Sequence, residues 1–374
     1  MKFATEFRDP AKAKTLLAAI ERTLCDIDLP ENRPLHVMEV CGGHTHSVFR
    51  YGLHELVPDA IEFVHGPGCP VCVLPMGRVD DCIAIAERED IIFTTFGDAM
   101  RVPGSKKSLM QAKADGADIR MVYSPLDALD LARKHPDREI VFFGLGFETT
   151  MPSTALTILE AERENVENFS MICQHITIIP TLKALLDDPD TEIDGFIGPG
   201  HVSMVIGVDG YRFIAEQHKK PIVVAGFEPL DILQSLWMVL LQLAEKRAAV
   251  ENQYARIVPS EGNPAALAAM DRVFEPRDEM EWRGLGMIPQ SGAQIRPAYA
   301  RFDAEKKFDL APADIADPDI CRCGEVVKGQ IKPWQCPAFG KDCTPDAPLG
   351  ALMVSSEGAC AAHYRYAKPA MQDA

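Results

Sequence analysis

Between residues 34 and 228, short and nearly unbroken apolar runs alternate with stretches of helical periodicity, and this limits the possible folds more than any other feature. The runs are LHVMEV (35–40), IEFV (61–64), IIFTTF (91–96), IRMVYS (119–124), EIVFFGL (139–145), SMICQ (170–174) and PIVVAGF (221–227). A strand buried on both faces of a parallel sheet reads in this way, whereas a half-exposed strand would alternate. Helical patterns over 78–87, 126–134, 153–163 and 211–217 lie between them. Strand and helix repeated this often predict an α/β fold with right-handed crossovers. A chain of 374 residues also exceeds one ordinary core, so several domains are expected. The expectation is two Rossmann-like parallel-sheet α/β domains, 34–145 and 146–228, with Gly-Phe-Glu occurring at 146–148 and again at 226–228.

Beyond the apolar stretch near 230–247 the pattern changes. Residues 254–320 are rich in Pro, Gly and charge, and 321–360 hold five cysteines. This predicts a loop-rich iron–sulfur unit over 229–374, joined by residues 1–33. There Asp9 and Pro10 stand as N-cap and first residue of a helix running to about Cys25.

Function in a parallel sheet collects in the loops after the strands, and the unusual residues fall in those loops. CGGHTH (41–46), HGPGCPVC (65–72) and TFGDAMRVPG (95–104) follow the first three runs. FGLGFETT (143–150), IGPGH (197–201) and AGFEP (225–229) end later ones. Two glycines after Cys41 allow a sharp turn into a helix. Its N-terminal N–H groups are expected to draw the thiol toward thiolate, making Cys41 a nucleophile or a soft metal ligand. His44 and His46 could supply imidazole or a proton. Cys69 and Cys72 form a C-x-x-C with an internal proline, similar to a thiol–disulfide exchange motif with Cys69 the more exposed sulfur.

Eleven cysteines and an N-terminus, MKFATEFRDPAKAK, without an apolar stretch predict a reducing, cytoplasmic setting where metal or redox chemistry outweighs structural disulfides. The C-terminal thiols are Cys321, Cys323, Cys336, Cys343 and Cys360. Zinc ribbons present paired C-x-x-C knuckles, absent here, so wide spacing with prolines favours a [4Fe–4S] cluster over zinc. Cys321 is set aside because neighbouring C-x-C thiols seldom both reach one cluster, leaving Cys323, Cys336, Cys343 and Cys360. Glu148 and Glu228 are read as loop caps, Asp98 and Arg101 as a local ion pair, and Cys25, Cys82 and Cys173 as core thiols. His175 and His201 sit at strand ends and leave open a role in the cleft or in packing.

A net charge of −17 repels phosphate backbones and anionic lipid, which argues against nucleic-acid and membrane partners. The densest apolar run, 232–244, is too short to span a bilayer.

Together CGGHTH, HGPGCPVC, FGDAMRVPG, FGLGFETT, GPGHVS, AGFEPLD and CGEV…CPAFG…C…VSSEGAC resemble the HypD family of [NiFe]-hydrogenase maturation proteins over nearly the whole chain. The resemblance implies two α/β domains and a third carrying a [4Fe–4S] cluster. It also implies action with the small chaperone HypC as the scaffold on which iron receives cyanide, supplied by HypE, and carbon monoxide. Carried onto this sequence, Cys41 would hold that iron jointly with a HypC cysteine, Cys69 and Cys72 would be the redox pair, and Cys323, Cys336, Cys343 and Cys360 would hold the cluster. The residues themselves leave two alternatives: an iron–sulfur-dependent thiol–disulfide oxidoreductase, and a zinc-stapled interaction module.

Overall fold

The computed structural model describes residues 5–310 and 315–367. In chain order its strands are β1 (Leu35–Glu39), β2 (Ile61–His65), β3 (Ile91–Thr95), β4 (Ile119–Met121), β5 (Glu139–Gly146) and β6 (Phe169–His175). They continue with β7 (Gly195–Pro199), β8 (Ile222–Ala225), β9 (Val250–Asn252), β10 (Phe274–Trp282) and β11 (Gly286–Ile295). The first nine make two parallel sheets, ordered β2-β1-β7-β8-β9 and β4-β3-β5-β6; the last two form an antiparallel hairpin. Both parallel sheets expected from the apolar runs are present. Their central strands are buried on both faces, as β3 and β7 show throughout their length.

Sheet membership does not follow the division at residue 145. The first sheet takes strands from both 34–145 and 146–228, because β1 pairs β2 on one side and β7 on the other, with Val37 opposite Gly195. The second sheet is contributed by the chain between β2 and β7. Periodicity identifies a strand but says nothing about which neighbour it meets, since that is settled by packing between residues far apart in sequence.

In each sheet the chain runs to one side and later returns to the other. The reversal falls between β1 and β7 in the first sheet and between β3 and β5 in the second. Loops leaving the carboxyl ends on either side of such a point diverge and open a crevice.

The helix Pro10–Leu24 begins as expected, with Asp9 accepting from the Ala11 and Lys12 N–H groups and Pro10 at its first position. Its buried residues, Ile20 and Leu24, join Val37, Ile197, Leu233 and Leu236 in the core of the first sheet, not the core around the C-terminal cysteines. Among the described residues the cysteine-rich segment has no separate core either. Val326, Leu352 and Met353 pack in one cluster with Val79 and Ile83 of the helix Met76–Ala86 and Phe93 of the second sheet. Residues 254–320 also hold more order than their composition suggested, with the helix Pro264–Val273 and the β10–β11 hairpin. Charges at alternate positions of β10, most of them partly exposed, and Pro276 within it mask the strand pattern. Among the described residues no helix is long and apolar enough to cross a membrane.

A buried ion pair ties the edge of the first sheet to its covering helix. Asp231, fully buried in the first turn of Pro229–Ala244, accepts from both Arg256 Nη atoms at 2.8 and 2.7 Å and from Gln253 Nε2 at 2.8 Å. Breaking such a pair strands the remaining charge. Asp231→Ala is expected to cost about 3 kcal/mol, seen as a lower urea midpoint with an unchanged m-value.

Candidate functional site

Glu39, at the carboxyl end of β1, has no exposed surface. Its Oε1 accepts from the Thr45 hydroxyl and meets His65 Nδ1 at 2.8 Å, while its Oε2 accepts from the Cys41 N–H at 3.1 Å. One carboxyl thus clamps the CGGHTH loop to the end of β2. Burial drives its pKa well above the usual carboxylate range, against the opposing hydrogen bonds from Thr45 and the Cys41 N–H.

Cys41 caps the helix Gly42–Arg50 from an extended conformation. The HGPGCPVC loop lies directly against it: Gly42 N–H donates to Gly68 O at 3.0 Å, and a Cβ on Gly68 would overlap the Cys41 backbone. Only glycine permits that approach. Cys69 and Cys72 are joined as a disulfide with Cα atoms 5.2 Å apart. Both residues are buried, at 4% and 2% exposure, so Cys69 is the more exposed only by a small margin and neither lies open. The short helical turn Val71–Val73 and the tight packing of Gly358, whose Cβ would stand 3.0 Å from Cys72 Sγ, cover them.

The expectation of an acidified Cys41 is reversed. Its thiol is pushed up to about 12, first by burial and then by the Glu357 and Glu39 carboxyls, which together outweigh the Gly43 and His44 N–H groups. The helix end was legible in the sequence, but Glu357 arrives from more than 300 residues away. His44 is fully buried, and burial lowers its pKa to about 4. Its Nε2 faces the carbonyls of Gly226 (3.0 Å) and Ala225 (3.3 Å), which assigns the hydrogen to Nε2 and leaves a neutral ring. Phe227 stacks on both His44 and His201, with centroids at 4.5 and 3.8 Å.

Cys41 opens into a cavity of about 260 Å³. Val40, Cys41 and His201 reach it from the carboxyl ends of β1 and β7; Phe96, Asp98, Leu145, Phe147 and Thr150 reach it from those of β3 and β5. The two topological switch points therefore face each other across one space, and Glu357 from the cysteine-rich segment closes a side. Asp98 does not pair with Arg101 as expected. It caps the Ala99 N–H at 2.9 Å, and Arg101 reaches the Val354 carbonyl instead. Glu148 caps the Ile178 N–H at 3.0 Å, as expected. Glu228 sits at the N-cap of Pro229–Ala244 and also pairs with Arg8. Cys82 and Cys173 are core thiols, whereas Cys25 is exposed at the end of its helix.

The other thiols gather elsewhere. Cys321, Cys323, Cys336, Cys343 and Cys360 line one small cavity whose remaining walls include Val326, Ala338, Phe339 and Met353. Cys321, set aside on the sequence, is among them, with its Sγ 3.3 Å from Cys323 Sγ. The Leu349 N–H points at Cys343 Sγ at 3.4 Å, and backbone N–H groups of Gly350 and Leu352 meet Cys343 and Cys323. A side chain on Gly350 would press into the sulfurs of Cys321 and Cys323. Converging thiols, backbone N–H donors and an apolar wall match the donor set of an iron–sulfur cluster. Among the described residues no three His, Cys, Asp or Glu side chains are grouped to hold a single metal ion.

A sequence profile described as HypD, hydrogenase formation hypA family, matches residues 11–367. The chain belongs to the HypD family. It is 63% identical over 370 residues to hydrogenase maturation factor HypD of Rhodobacter capsulatus, with 98% of each chain covered. It is 56% identical over 366 residues to the factor of that name from Escherichia coli K12, again with 98% of each covered. HypD2 of Bradyrhizobium diazoefficiens is 50% identical over 375 residues, covering 98% of this chain and 97% of that one. In this HypD-family chain, reading the sequence missed Glu39 and Glu357. Their signal was present only as acidic residues beside CGGHTH and in VSSEGAC.

Glu148 gives a pH test. It is 3% exposed, and burial raises its carboxyl to about 7. Between pH 4.5 and 7 the unfolded chain loses this proton while the folded chain keeps it, so stability falls as pH rises through that window. At about 1.4 kcal/mol per unit, the loss amounts to about 3 kcal/mol. Glu148→Gln should match the parent at pH 4 and exceed it at pH 8 by that amount in chemical denaturation.

Proposed function

We propose that this chain is a hydrogenase maturation factor that works with HypC as the scaffold on which an iron ion acquires cyanide and carbon monoxide. HypE is the cyanide donor, and Cys41 holds the iron. The observation that carries the proposal is the position of Cys41. It lies in a cavity between two facing switch points, with the Cys69–Cys72 loop against its backbone and Glu357 beside it.

Each group then has a task. Cys41 supplies a thiolate, a ligand suited to low-spin, electron-rich iron. Because its proton is held to about 12, iron must displace that proton, and loading strengthens as pH rises. Neutral His44 holds the turn by donating to the 225–226 carbonyls, and Phe227 and Phe147 limit water. Cys323, Cys336, Cys343 and Cys360 would hold a [4Fe–4S] cluster, with Cys321 as a fifth thiol in the same cavity. Such a cluster supplies or accepts single electrons. The C-terminal cavity and the Cys69–Cys72 pair share one buried core, which supports the pair as the redox partner of that site. Burial of both disulfide sulfurs counts against the alternative oxidoreductase, since a protein substrate needs an exposed sulfur to attack.

Two variants test the assignment. In anaerobic protein purified with HypC from cells grown on enriched iron, the Mössbauer spectrum should show a cubane signal and a separate low-spin ferrous species. Cys41→Ala should lose the ferrous species and keep the cubane; a variant that retains both would refute the role of Cys41. Gly350→Val should lose most of the cubane signal, because its side chain would occupy the space of two ligand sulfurs. Its far-ultraviolet circular dichroism should stay unchanged.

A further inference from the structure

The turn between β10 and β11 sets a buried cation behind the wall of the C-terminal thiol cavity. Arg283 is 4% exposed, and its backbone N–H donates to Val73 O at 2.8 Å, in the turn that covers the Cys69–Cys72 pair. Its guanidinium approaches the Pro103 carbonyl at 3.5 Å and the Leu349 carbonyl at 3.4 Å. Leu349 lines the thiol cavity, and its own N–H points at Cys343 Sγ. Next in the turn, Gly284 takes φ +79° and lies against Gly324, the neighbour of Cys323; a Cβ on Gly284 would stand 2.7 Å from the Gly324 Cα. Only glycine suits both that backbone and that space.

One counter-charge accompanies the cation. Asp317 Oδ1 lies 2.6 Å from Arg283 Nε. The Cys321 thiol is pushed up first by its contact with Cys323 and by burial, and Asp317 adds to the rise, so this carboxylate is near the sulfurs as well. Taking such a pair out of water is costly, and well-packed apolar groups of like volume are often as stable. Two long contacts to carbonyls offset that cost poorly. What accounts for a guanidinium in this place is negative charge beyond Leu349. Five thiols converge there, and a cluster held by four of them holds them as thiolates.

We infer that Arg283 and Asp317 set the reduction potential of the C-terminal cluster, Arg283 raising it and Asp317 lowering it. The inference rests on the [4Fe–4S] reading of that cavity and not on the role of Cys41. One electron taken up adds one negative charge to the cluster and its thiolates. A cation held in a low-dielectric interior favours that reduced state, and an anion opposes it. Arg283 is thus a positioning residue that acts through its charge.

Dithionite titration of the anaerobic full-length protein, followed by electron paramagnetic resonance, reads the potential. Arg283→Gln should lower it by about tenfold in the one-electron equilibrium constant, or about 59 mV. Asp317→Asn should raise it by a similar amount, and Arg283→Lys should stay near the parent. A merely structural role would reduce cluster content, measured as iron and acid-labile sulfide, without moving the two neutralised variants in opposite directions. Should Arg283→Gln fail to hold the cluster, Asp317→Asn decides alone: a raised potential supports the proposal, and an unchanged or lowered one overturns it. Unchanged potentials in both neutralised variants overturn it too, while the cluster reading stands. A parent protein without a cubane signal overturns the cluster reading, and this inference with it.

Discussion

Much of the architecture around Cys41 hangs on the buried carboxyl of Glu39. Taking a carboxyl group out of water is expensive, so the group is fully committed to neighbours: Thr45, His65 and the Cys41 N–H. Those three belong to the loop after β1 and to the end of β2. One side chain therefore fixes the register between the loop that carries Cys41 and the strand that leads to the Cys69–Cys72 pair. The glycine at 68 completes the arrangement by letting the second loop lie on the backbone of the first.

The second constraint is topological. Two parallel sheets each reverse strand order once, and the crevices so formed open toward each other. A single sheet would provide loops on one side of a bound ion only. Here backbone and side chains approach from two sheets, and the cysteine-rich segment adds Glu357. The cavity is thus walled from both sheets and from the cysteine-rich segment.

What the sequence disclosed, and what it hid, follows from range. The apolar runs revealed seven strands because burial on both faces leaves a local signature, and the Asp9-Pro10 start of the first helix is equally local. The pairing of β1 with β7, the short β9 and the hairpin at 274–295 depend on contacts from afar or are masked by surface charge. The same distinction divides the site. Cys41, Cys69, Cys72 and the C-terminal thiols stood out as chemistry in loops, and Glu148 was legible as a cap. The charge state of Cys41 was misread because burial, which depends on both sheets, and then Glu357 from far along the chain outweigh the local N–H groups. Asp98 was assigned to the nearest arginine, whereas that arginine is engaged by the Val354 carbonyl.

The discontinuity of the first sheet bears on how the protein is made. β2 ends at His65 and β7 begins at Gly195, so about 130 residues of other structure must be synthesised before β1 gains its second neighbour. At roughly 5–20 residues per second on the ribosome, the thiol at residue 41 emerges many seconds before the wall that will bury it. Closing so long a loop is a late, entropically costly event. A nascent chain thus carries this cysteine in the open until β7 and His201 have been made, and the Glu357 side of its cavity arrives later still.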